Sequence, residues 1–260
     1  MAFVHQHGAF VFFIYVCAAC LIGLFGIADV GFSAFWRNLF TVVFEVLVGA
    51  GVTVLAIDRF NEYRATESLK RRLVREAGSR SHDIAISAVE WMDREGWLRG
   101  EDGLLKGADL REARLSEARM EGANLEGTIL DRADLRQARL IKAKLRDATL
   151  TFAKLHNAKL NEAEMQDAKC HDAKMPNARL GGACLEDADL SYACLEGASL
   201  QEACLKGADL HKAKLKGAFL LNADFCDADL RRSELCERDI PGTFSPITRR
   251  AAVFAFAHLN

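Results

Sequence analysis

The sequence predicts an all-β solenoid that follows two transmembrane α-helices and a helical connector. Three observations predict this fold class. A large apolar residue occupies every fifth position from 105 to 240, and leucine fills 22 of these 28 central positions. Two positions earlier, alanine fills the equivalent step from 108 to 228, with Thr128 as the one exception. Two long apolar segments, residues 8–28 and 39–57, precede the repeats.

The spacing of five identifies the kind of β-structure. Residues five apart on an α-helix point about 140° apart, because the helix has about 3.6 residues per turn. In a flat strand an odd spacing alternates between the two faces. A chain that turns a corner every five residues instead returns each central residue to the interior. The alanine two positions before it lies on the same side, so we expect both to be buried.

The repeats also resemble a known family. The segments "GADLREARL", "GANLEG", "DADLSYACLEGASL" and "GADLHKAKLKGAFL" are similar to the motif A-(D/N)-L-x-x of pentapeptide-repeat proteins. The resemblance implies a right-handed, four-sided β-helix with twenty residues per coil, so that residues 103–240 would form about seven coils. At about 4.8 Å between coils, they would make a rod roughly 34 Å long. It also implies a non-catalytic protein, since the family is known mainly as binding surfaces and scaffolds.

The first predicted domain, residues 1–57, is a transmembrane hairpin. The run 8–28 holds 21 residues without a charge, and the run 39–57 holds 19 residues with Glu45 as its one charge. Either run is long enough to cross a hydrocarbon core of about 30 Å. A cleaved signal peptide is the alternative for the first run, although its start, "MAFVHQHG", lacks the basic residues of such peptides.

Basic residues predict the orientation of this hairpin. The loop between the two runs carries only Arg37. Seven basic residues follow the second run: Arg59, Arg64, Lys70, Arg71, Arg72, Arg75 and Arg80. We therefore expect a multi-pass protein of a bacterial inner membrane, with both termini in the cytoplasm. The segments "NLFTVVFEVLVGAGVTVLAIDRFNEYR" and "LVREAGSRSHDIAISAVEWMDREGWL" resemble the leader and linker of bacterial membrane-anchored pentapeptide-repeat proteins.

Two further segments are predicted to be helical. Residues 58–102 form a cytoplasmic stalk and N-terminal cap. The stalk contains no Pro or internal Gly, so it continues the second span as one helix to Gly78, and a second helix begins after Ser79 or Ser81. Residues 241–260 form a C-terminal helical cap. We expect caps because the two ends of a solenoid would otherwise expose strand edges and apolar surface.

Glu45 is the first candidate functional residue, because a carboxylate in a membrane span is costly unless it is paired, protonated or hydrated. Gly49 lies one helical turn from it, and the first span offers Ala19 and Gly23 at the same spacing. Small residues let helices approach closely, so these four predict an intramembrane helix contact, within the hairpin or with a second protomer. A purely structural hydrogen bond from a protonated glutamate, recognition of another membrane protein, and a proton or ion path are the alternatives.

A column of basic residues is the second candidate site. Residues twenty apart should stack, so Arg119, Arg139, Lys159 and Arg179 are predicted to line one side at about 4.8 Å spacing. The family motif prefers Asp or Asn at this step, where the side chain can bond the turn backbone. The column is either a docking strip for an acidic protein surface or lipid headgroups, or a solvated face balanced by neighbouring carboxylates.

Composition and motifs exclude other classes. The formal net charge is -2, which is typical of neither nucleic-acid-binding nor strongly acidic proteins. We find no phosphate-binding glycine loop, nucleophile–base arrangement or zinc-ligand spacing, so we expect no enzyme, cofactor, metal or small-molecule substrate. No nucleic-acid partner is expected either. Met165, Cys170 and Met175, which replace leucine in one coil, fit soft gap-filling side chains better than a ligand site.

Together these features predict a membrane-anchored scaffold or protein-docking rod. The alternative is an accessory subunit of a larger membrane complex, bound through the hairpin and Glu45. A DNA-mimicking protein that protects topoisomerases is a third interpretation, but it requires a strongly negative rod, whereas the repeats carry 22 basic and 24 acidic residues. The expected partners are the lipid bilayer and an unidentified protein, with a homo-oligomer left open.

Overall fold

The computed structural model describes residues 34–235 of the 260-residue chain. Two helices come first: α1 spans Ala34–Ala77 and α2 spans His82–Arg94. The repeats follow α2. The chain divides into two compact units, Met1–Ser68 and Leu69–Asn260. The domain boundaries expected from the sequence differ from this division and stay predictions.

The predicted multi-pass localisation in an inner membrane is wrong. Within residues 34–235, no helix is both long and apolar enough to cross a membrane. Residues 39–57 and the charged stalk that follows them form one uninterrupted helix, α1, which ends at Ala77, as the absence of Pro and internal Gly from the stalk predicted. The other predicted span, residues 8–28, lies outside the described residues.

The second unit begins with a helical cap on the repeats. α2 starts after Ser81, whose extended backbone (φ -93°, ψ 122°) is typical of a helix N-cap. The Ser79 hydroxyl accepts the Ser81 N–H at 3.0 Å. Ala85, Val89 and Met92 of α2 are buried in the same apolar cluster as the repeat interior. Their spacing of four and three residues gives α2 one apolar face, which closes this end of the core.

Two loop residues supply backbone partners for the first coil. The Arg114 N–H bonds the Ser79 carbonyl at 3.1 Å, and the Asn124 N–H bonds the Leu98 carbonyl at 2.7 Å. In later coils the equivalent N–H groups bond a carbonyl of the preceding coil. The loops therefore replace a missing coil and cover the strand edge at this end. The predicted C-terminal cap, residues 241–260, lies outside the described residues.

The repeats form four columns of parallel backbone bridges, and every bridge joins residues 20 positions apart. We number the four faces by the first bridged residue of each column: Asp109 for face 1, Arg114 for face 2, Arg119 for face 3 and Asn124 for face 4. Each face contributes a single bridged residue per coil, and a two-residue corner separates it from the next face. The four sides and the twenty-residue coil expected from the repeat are confirmed. The total number of coils stays a prediction.

Backbone hydrogen bonds join each coil to the next. In the repeat centred on Leu110, the Leu110 N–H bonds the Ile129 carbonyl of the following coil at 2.8 Å. The Ala113 N–H closes the corner by bonding the Leu110 carbonyl at 3.1 Å. One corner N–H is left over, and the Asp109 carboxylate accepts it from Arg111 at 3.2 Å. An Asp or Asn just before the central residue therefore completes the backbone hydrogen bonding of its corner.

Every corner contains a residue with left-handed backbone. From Gly107 to Arg232, the second residue after each central position has φ between +53° and +72°. A corner closed between its first and fourth residues, with positive φ at the third, matches a type II turn. Asp, Asn and Gly tolerate this conformation well, whereas Phe152 and Tyr192 are bulky residues that also adopt it.

The central and alanine positions fill the interior. Central side chains from Leu105 to Leu235 are at most 6% exposed, and most of the alanines are fully buried. Thr128 is buried at an alanine step, where its hydroxyl donates to the Leu105 carbonyl at 2.7 Å. Each buried leucine contributes about 1.5–3 kcal/mol of transfer free energy. The five-residue pattern therefore predicted the buried positions correctly.

Candidate functional site

The structure brings the four predicted basic residues together on face 3. Arg119, Arg139, Lys159 and Arg179 are joined in succession by parallel bridges, one residue per coil. Neighbouring members are therefore about 4.8 Å apart along the backbone ladder. The three arginines are exposed, and Lys159 is half-buried between its neighbours. We call these four residues the basic stripe.

The basic stripe lacks a turn bond that other positions make. Elsewhere the bridged Asp or Asn accepts the N–H of the residue two positions later, at N···O distances of 2.8–3.3 Å. The bond is made by Asp109, Asn124, Asp134, Asp189, Asp209, Asp224 and Asp229. Arg and Lys side chains can only donate, so the corners that follow the stripe cannot form it. Since one hydrogen bond contributes about 0.5–1.5 kcal/mol, four successive coils forgo measurable stability.

Neighbouring carboxylates neutralise only part of the basic stripe. Arg139 Nε forms a salt bridge with Glu121 Oε1. The other three members form no salt bridge within the described part of the chain. The alternative interpretation, in which neighbouring carboxylates neutralise the stripe, therefore holds for Arg139 alone among the four residues. Like charges at this spacing repel one another, so the stripe is unfavourable by itself and would be stabilised by anionic groups from outside.

A second basic row lies on face 2, across the adjoining corner. Lys154 and Lys174 are bridged there and exposed. The corner between the two rows carries three stacked amides, Gln137, Asn157 and Asn177, with a depression of about 490 Å³ on either side. Burial, followed by the positive charges of Arg136 and Lys174, lowers the pKa of His156 in one depression. The sequence analysis did not single out this row, although the twenty-residue spacing of its lysines was a signal for it.

Face 3 becomes apolar beyond the basic stripe. Ser199 follows Arg179 in the column, and Phe219 follows Ser199. The Phe219 side chain is 60% exposed, and Leu221 at the next corner is 48% exposed. Exposed large apolar side chains that lie side by side are candidates for contact with another protein. The sequence analysis placed Phe219 in this column but did not assign it to a site.

Two of the four predicted helix-contact residues lie in the described part of the chain. Glu45 and Gly49 lie on α1, and both are exposed. The Gly49 carbonyl accepts the Thr53 hydroxyl at 2.7 Å, within the same helix. Ala19 and Gly23 lie outside the described residues. A helix contact through these residues stays a prediction. The expectation that this contact lies within a membrane is not kept, because the predicted membrane localisation is wrong.

The cysteine and histidine side chains of the β-helix form neither a metal site nor a reactive centre within residues 34–235. Among residues 34–235, no group of His, Cys, Asp and Glu is arranged to hold a metal ion. Burial raises the pKa of the Cys170 thiol to about 12, so this thiol is protonated and a poor nucleophile at neutral pH. Cys184 and Cys204 are bridged neighbours on face 4, and burial likewise raises the pKa of Cys184. Cys170 therefore resembles a packed apolar group more than a reactive thiol.

An aromatic column runs along the corner between faces 1 and 2. Phe152, His171, Tyr192 and His211 follow one another edge-to-face, with ring centroids 6.3, 5.3 and 5.9 Å apart. Lys212 Nζ lies 4.8 Å from the centroid of the Tyr192 ring and donates to its hydroxyl at 2.9 Å. Such ring pairs stabilise beyond their buried area, so this column ties successive coils together.

The repeats match a known family model. Residues 103–132, 128–167, 163–202 and 203–237 match the model for pentapeptide repeats, in 8 copies. The matched residues extend over more than half of the chain and coincide with the four-column β-helix. No curated protein sequence matches the chain.

Solved structures of similar proteins cover the same region. HetL, a pentapeptide repeat protein involved in heterocyst differentiation regulation from the cyanobacterium Nostoc sp. strain PCC 7120, is 29% identical over 50% of this chain and 75% of its own, with a TM-score of 0.33. A pentapeptide repeat protein from the thylakoid lumen of Arabidopsis thaliana is 26% identical over 51% of this chain and 77% of its own, with a TM-score of 0.32. QnrB1, a plasmid-mediated fluoroquinolone resistance protein, is 20% identical over 53% and 81%, with a TM-score of 0.34. These TM-scores are too low to support an argument about function.

Proposed function

Because this chain belongs to the pentapeptide-repeat family, whose repeats form a right-handed β-helix, we propose that it is a non-catalytic scaffold that docks an acidic protein surface along the basic stripe. The β-helix holds the four cations of the stripe in one column at a fixed spacing. Its interior is packed with leucine and alanine, so recognition takes place on the outer faces. A surface of this kind selects partners by the pattern of their charges.

The observation that carries the proposal is the turn bond that the stripe lacks. Four successive coils of face 3 place Arg or Lys at a step where, at seven other positions, Asp or Asn completes the corner. These side chains point outward, so they bring no compensating gain in core packing. A stability cost repeated along one face supports a use for that surface, because functional surfaces are where proteins depart from their most stable sequence.

A protein surface suits the stripe better than a lipid surface. The stripe extends over three coil spacings, or roughly 14 Å, which is short compared with the extent of a bilayer. The formal net charge of -2 also disfavours general adsorption to anionic headgroups. Phe219 and Leu221 continue the same face with exposed apolar surface, which the core of a protein interface can cover.

Asparagine substitutions separate docking from folding. Lys159→Asn and Arg179→Asn each remove a charge and supply the missing turn acceptor. We expect each substitution to raise the free energy of unfolding by about 0.5–1 kcal/mol, while the pair weakens partner binding at least tenfold. Lys169→Asn is the matched control, because Lys169 occupies the same repeat step on face 1. It should stabilise the fold to the same extent and leave binding unchanged.

The measurement is capture of partners from native cells by tagged full-length protein, followed by titration of the purified partner at about 50 and 500 mM salt. A partner that is retained by wild type and Lys169→Asn but lost by the protein with both Lys159→Asn and Arg179→Asn supports the docking role. A partner that all three proteins bind equally well would overturn it.

The two other functions considered from the sequence gain no support. The accessory-subunit interpretation depended on a membrane hairpin and falls with the predicted localisation. DNA mimicry requires a continuous negative surface, whereas face 3 is cationic over four successive coils. The docking scaffold is therefore the function that the charge distribution supports best.

A further inference from the structure

The β-helix carries a second charged column, opposite in sign to the basic stripe. At the corner that follows face 4, the left-handed position is occupied in three successive coils by Asp147, Asp167 and Asp187. All three side chains are exposed, and none forms a salt bridge within the described part of the chain. We call these three residues the acidic column. Like the stripe, it repeats one sign of charge at the spacing of the coils.

The acidic column occupies the same three coils as the last three residues of the stripe. Each carboxylate follows a stripe cation by eight positions, in the pairs Arg139 and Asp147, Lys159 and Asp167, and Arg179 and Asp187. Eight positions are two fifths of a twenty-residue coil, so the two columns lie on different sides of the β-helix. They cannot neutralise each other within one molecule. They do share one spacing, because the same backbone ladder sets both.

We propose that the basic stripe of one copy of this chain docks on the acidic column of a second copy, with the two β-helices side by side. The inference rests on the proposed docking role of the stripe and identifies the acidic protein surface as the chain's own. In register, three cation–carboxylate pairs form, and in the next coil Ser199 meets Gly207 with no charge on either side. Displacement by one coil also gives three pairs, with Arg119, Arg139 and Lys159 as the cations.

The spacing favours a second β-helix over other partner structures. Carboxylates on one face of an α-helix recur about every 5.4 Å, and those on one face of an extended strand recur about every 6.7 Å. The stripe recurs about every 4.8 Å, so across its four residues a strand falls out of step by about 6 Å. The charges on a second copy of the chain have the same spacing as the stripe, so the two sets of charges stay aligned over any length. The chain's own segment 241–260 cannot substitute, because it contains no Asp or Glu.

The contact is heterologous, since the stripe and the acidic column are different surfaces. After one contact forms, each copy keeps an unused surface, so association continues beyond a dimer to a ring or a row. Exposed ion pairs are individually weak and screened by salt. We therefore expect reversible association that increases with protein concentration and disappears at high salt.

Charge exchange tests the contact. The stripe variant carries Lys159→Glu and Arg179→Glu, and the column variant carries Asp167→Lys and Asp187→Lys. Lysine is compatible with the left-handed corner position, because Lys142 adopts it with φ +58°. Each variant should lose association alone. An equal mixture should regain it, because the intact stripe of the column variant meets the intact acidic column of the stripe variant.

A third variant controls for net charge. Lys214→Glu with Lys216→Glu changes the charge by the same amount as the stripe variant, but on face 2 and its corner. Sedimentation velocity of the full-length proteins at about 50 and 500 mM NaCl is the measurement. Circular dichroism and thermal unfolding establish that each variant is folded. We expect wild type and the control to associate at low salt, and the two single-surface variants to need at least tenfold higher concentration.

Two results would overturn the inference: association of the stripe or column variant at wild-type concentrations, or failure of their mixture to associate. A foreign partner that requires the stripe, together with a wild type that does not self-associate, would remove this inference and leave the proposed docking function intact. A third result is also informative. If the asparagine and glutamate variants of the stripe both keep every foreign partner, while self-association follows the charge exchange, the stripe serves only for self-docking.

Discussion

The left-handed corner residues carry the conformational strain of this fold. Between positions 107 and 232, every fifth residue has φ between +53° and +72°, and most of these residues are not glycine. This conformation costs a residue with a side chain about 1–2 kcal/mol. The coil geometry imposes it on whatever residue is present. Phe152 and Tyr192 bear the same cost and gain the ring contacts of the aromatic column.

Glycine substitutions at the two middle residues of one corner should have opposite effects. Glu202 has φ +59°, so Glu202→Gly relieves strain, and we expect the free energy of unfolding to rise by about 0.5–1 kcal/mol after the entropy cost of glycine. The neighbouring residue Gln201 does not have left-handed backbone, so Gln201→Gly should lower the free energy of unfolding by about 0.5–1 kcal/mol. Urea unfolding of both variants is the measurement. Changes of the same sign would contradict this account of the corner.

At this scale the sequence predicted the buried residues and a corner every five residues, but not the left-handed backbone of the corners. Thr128 occupies the repeat position that is otherwise alanine, and its side chain is buried there. The position within the five-residue repeat therefore decides which side chains point inward. The left-handed backbone of Phe152 follows from the coil geometry and is not encoded by the residue itself. The second basic row, with Lys154 and Lys174, was not predicted, although its two lysines recur at the same twenty-residue spacing as the basic stripe.

The N-terminal cap shows what single elements contribute. Asn124 is fully buried, and its Nδ2 donates to the Gly100 carbonyl at 2.8 Å. Its Oδ1 accepts the Glu126 N–H at 3.1 Å. The side chain therefore binds the loop that follows α2 to the first coil and completes the first corner of face 4. No other residue described here combines these two roles at the cap.

Asn124→Ala should destabilise the junction between cap and β-helix. The substitution leaves the Gly100 carbonyl and the Glu126 N–H without their side-chain partner, so we expect the free energy of unfolding to fall by about 1–3 kcal/mol. Lys174→Ala, an exposed residue at the same repeat step, is the control and should change it by less than about 0.5 kcal/mol. Thermal unfolding followed by circular dichroism measures both. An equal effect of the two substitutions would show that the cap contact is unimportant.

Local sequence signals account for the boundary between α1 and α2. The sequence offered Ser79 and Ser81 as alternative N-caps of α2, and Ser81 takes the role while the Ser79 hydroxyl accepts the Ser81 N–H. Residues 58–77 contain neither Pro nor Gly, so the helix that precedes them was expected to continue as far as Gly78, and α1 ends at Ala77.

The whole β-helix depends on the phase of its repeats more than on any one face. All bridges join residues 20 positions apart, and the repeating ladder of hydrogen bonds between coils is made by backbone atoms. Any pentapeptide with a central apolar residue and an alanine two positions before it can therefore occupy any side. The surface of a face is free to vary, because its outward residues do not pack in the interior.

Deletion of one pentapeptide should preserve the fold and rotate the downstream surface by one face. Removing residues 186–190 keeps the five-residue phase but moves Phe219 from face 3 to face 2 and places Asp224 where Phe219 was. We expect cooperative thermal unfolding to persist, with a small loss of stability from the shorter stack. Removing residues 186–189 instead breaks the phase, turns polar residues inward and should abolish cooperative unfolding. Equal damage from both deletions would show that the faces are not interchangeable.

The order of the elements along the chain has a consequence for how the protein is made. The helical cap precedes every coil in the sequence, and each coil bonds only to coils one turn away. The cap is therefore synthesised first. Each new coil of twenty residues can then form backbone hydrogen bonds to the exposed edge of the coil before it. Chains with such local contacts fold quickly, and N-terminal parts fold first during translation. Nascent chains of increasing length should thus become resistant to protease in steps of one coil, starting from the capped end.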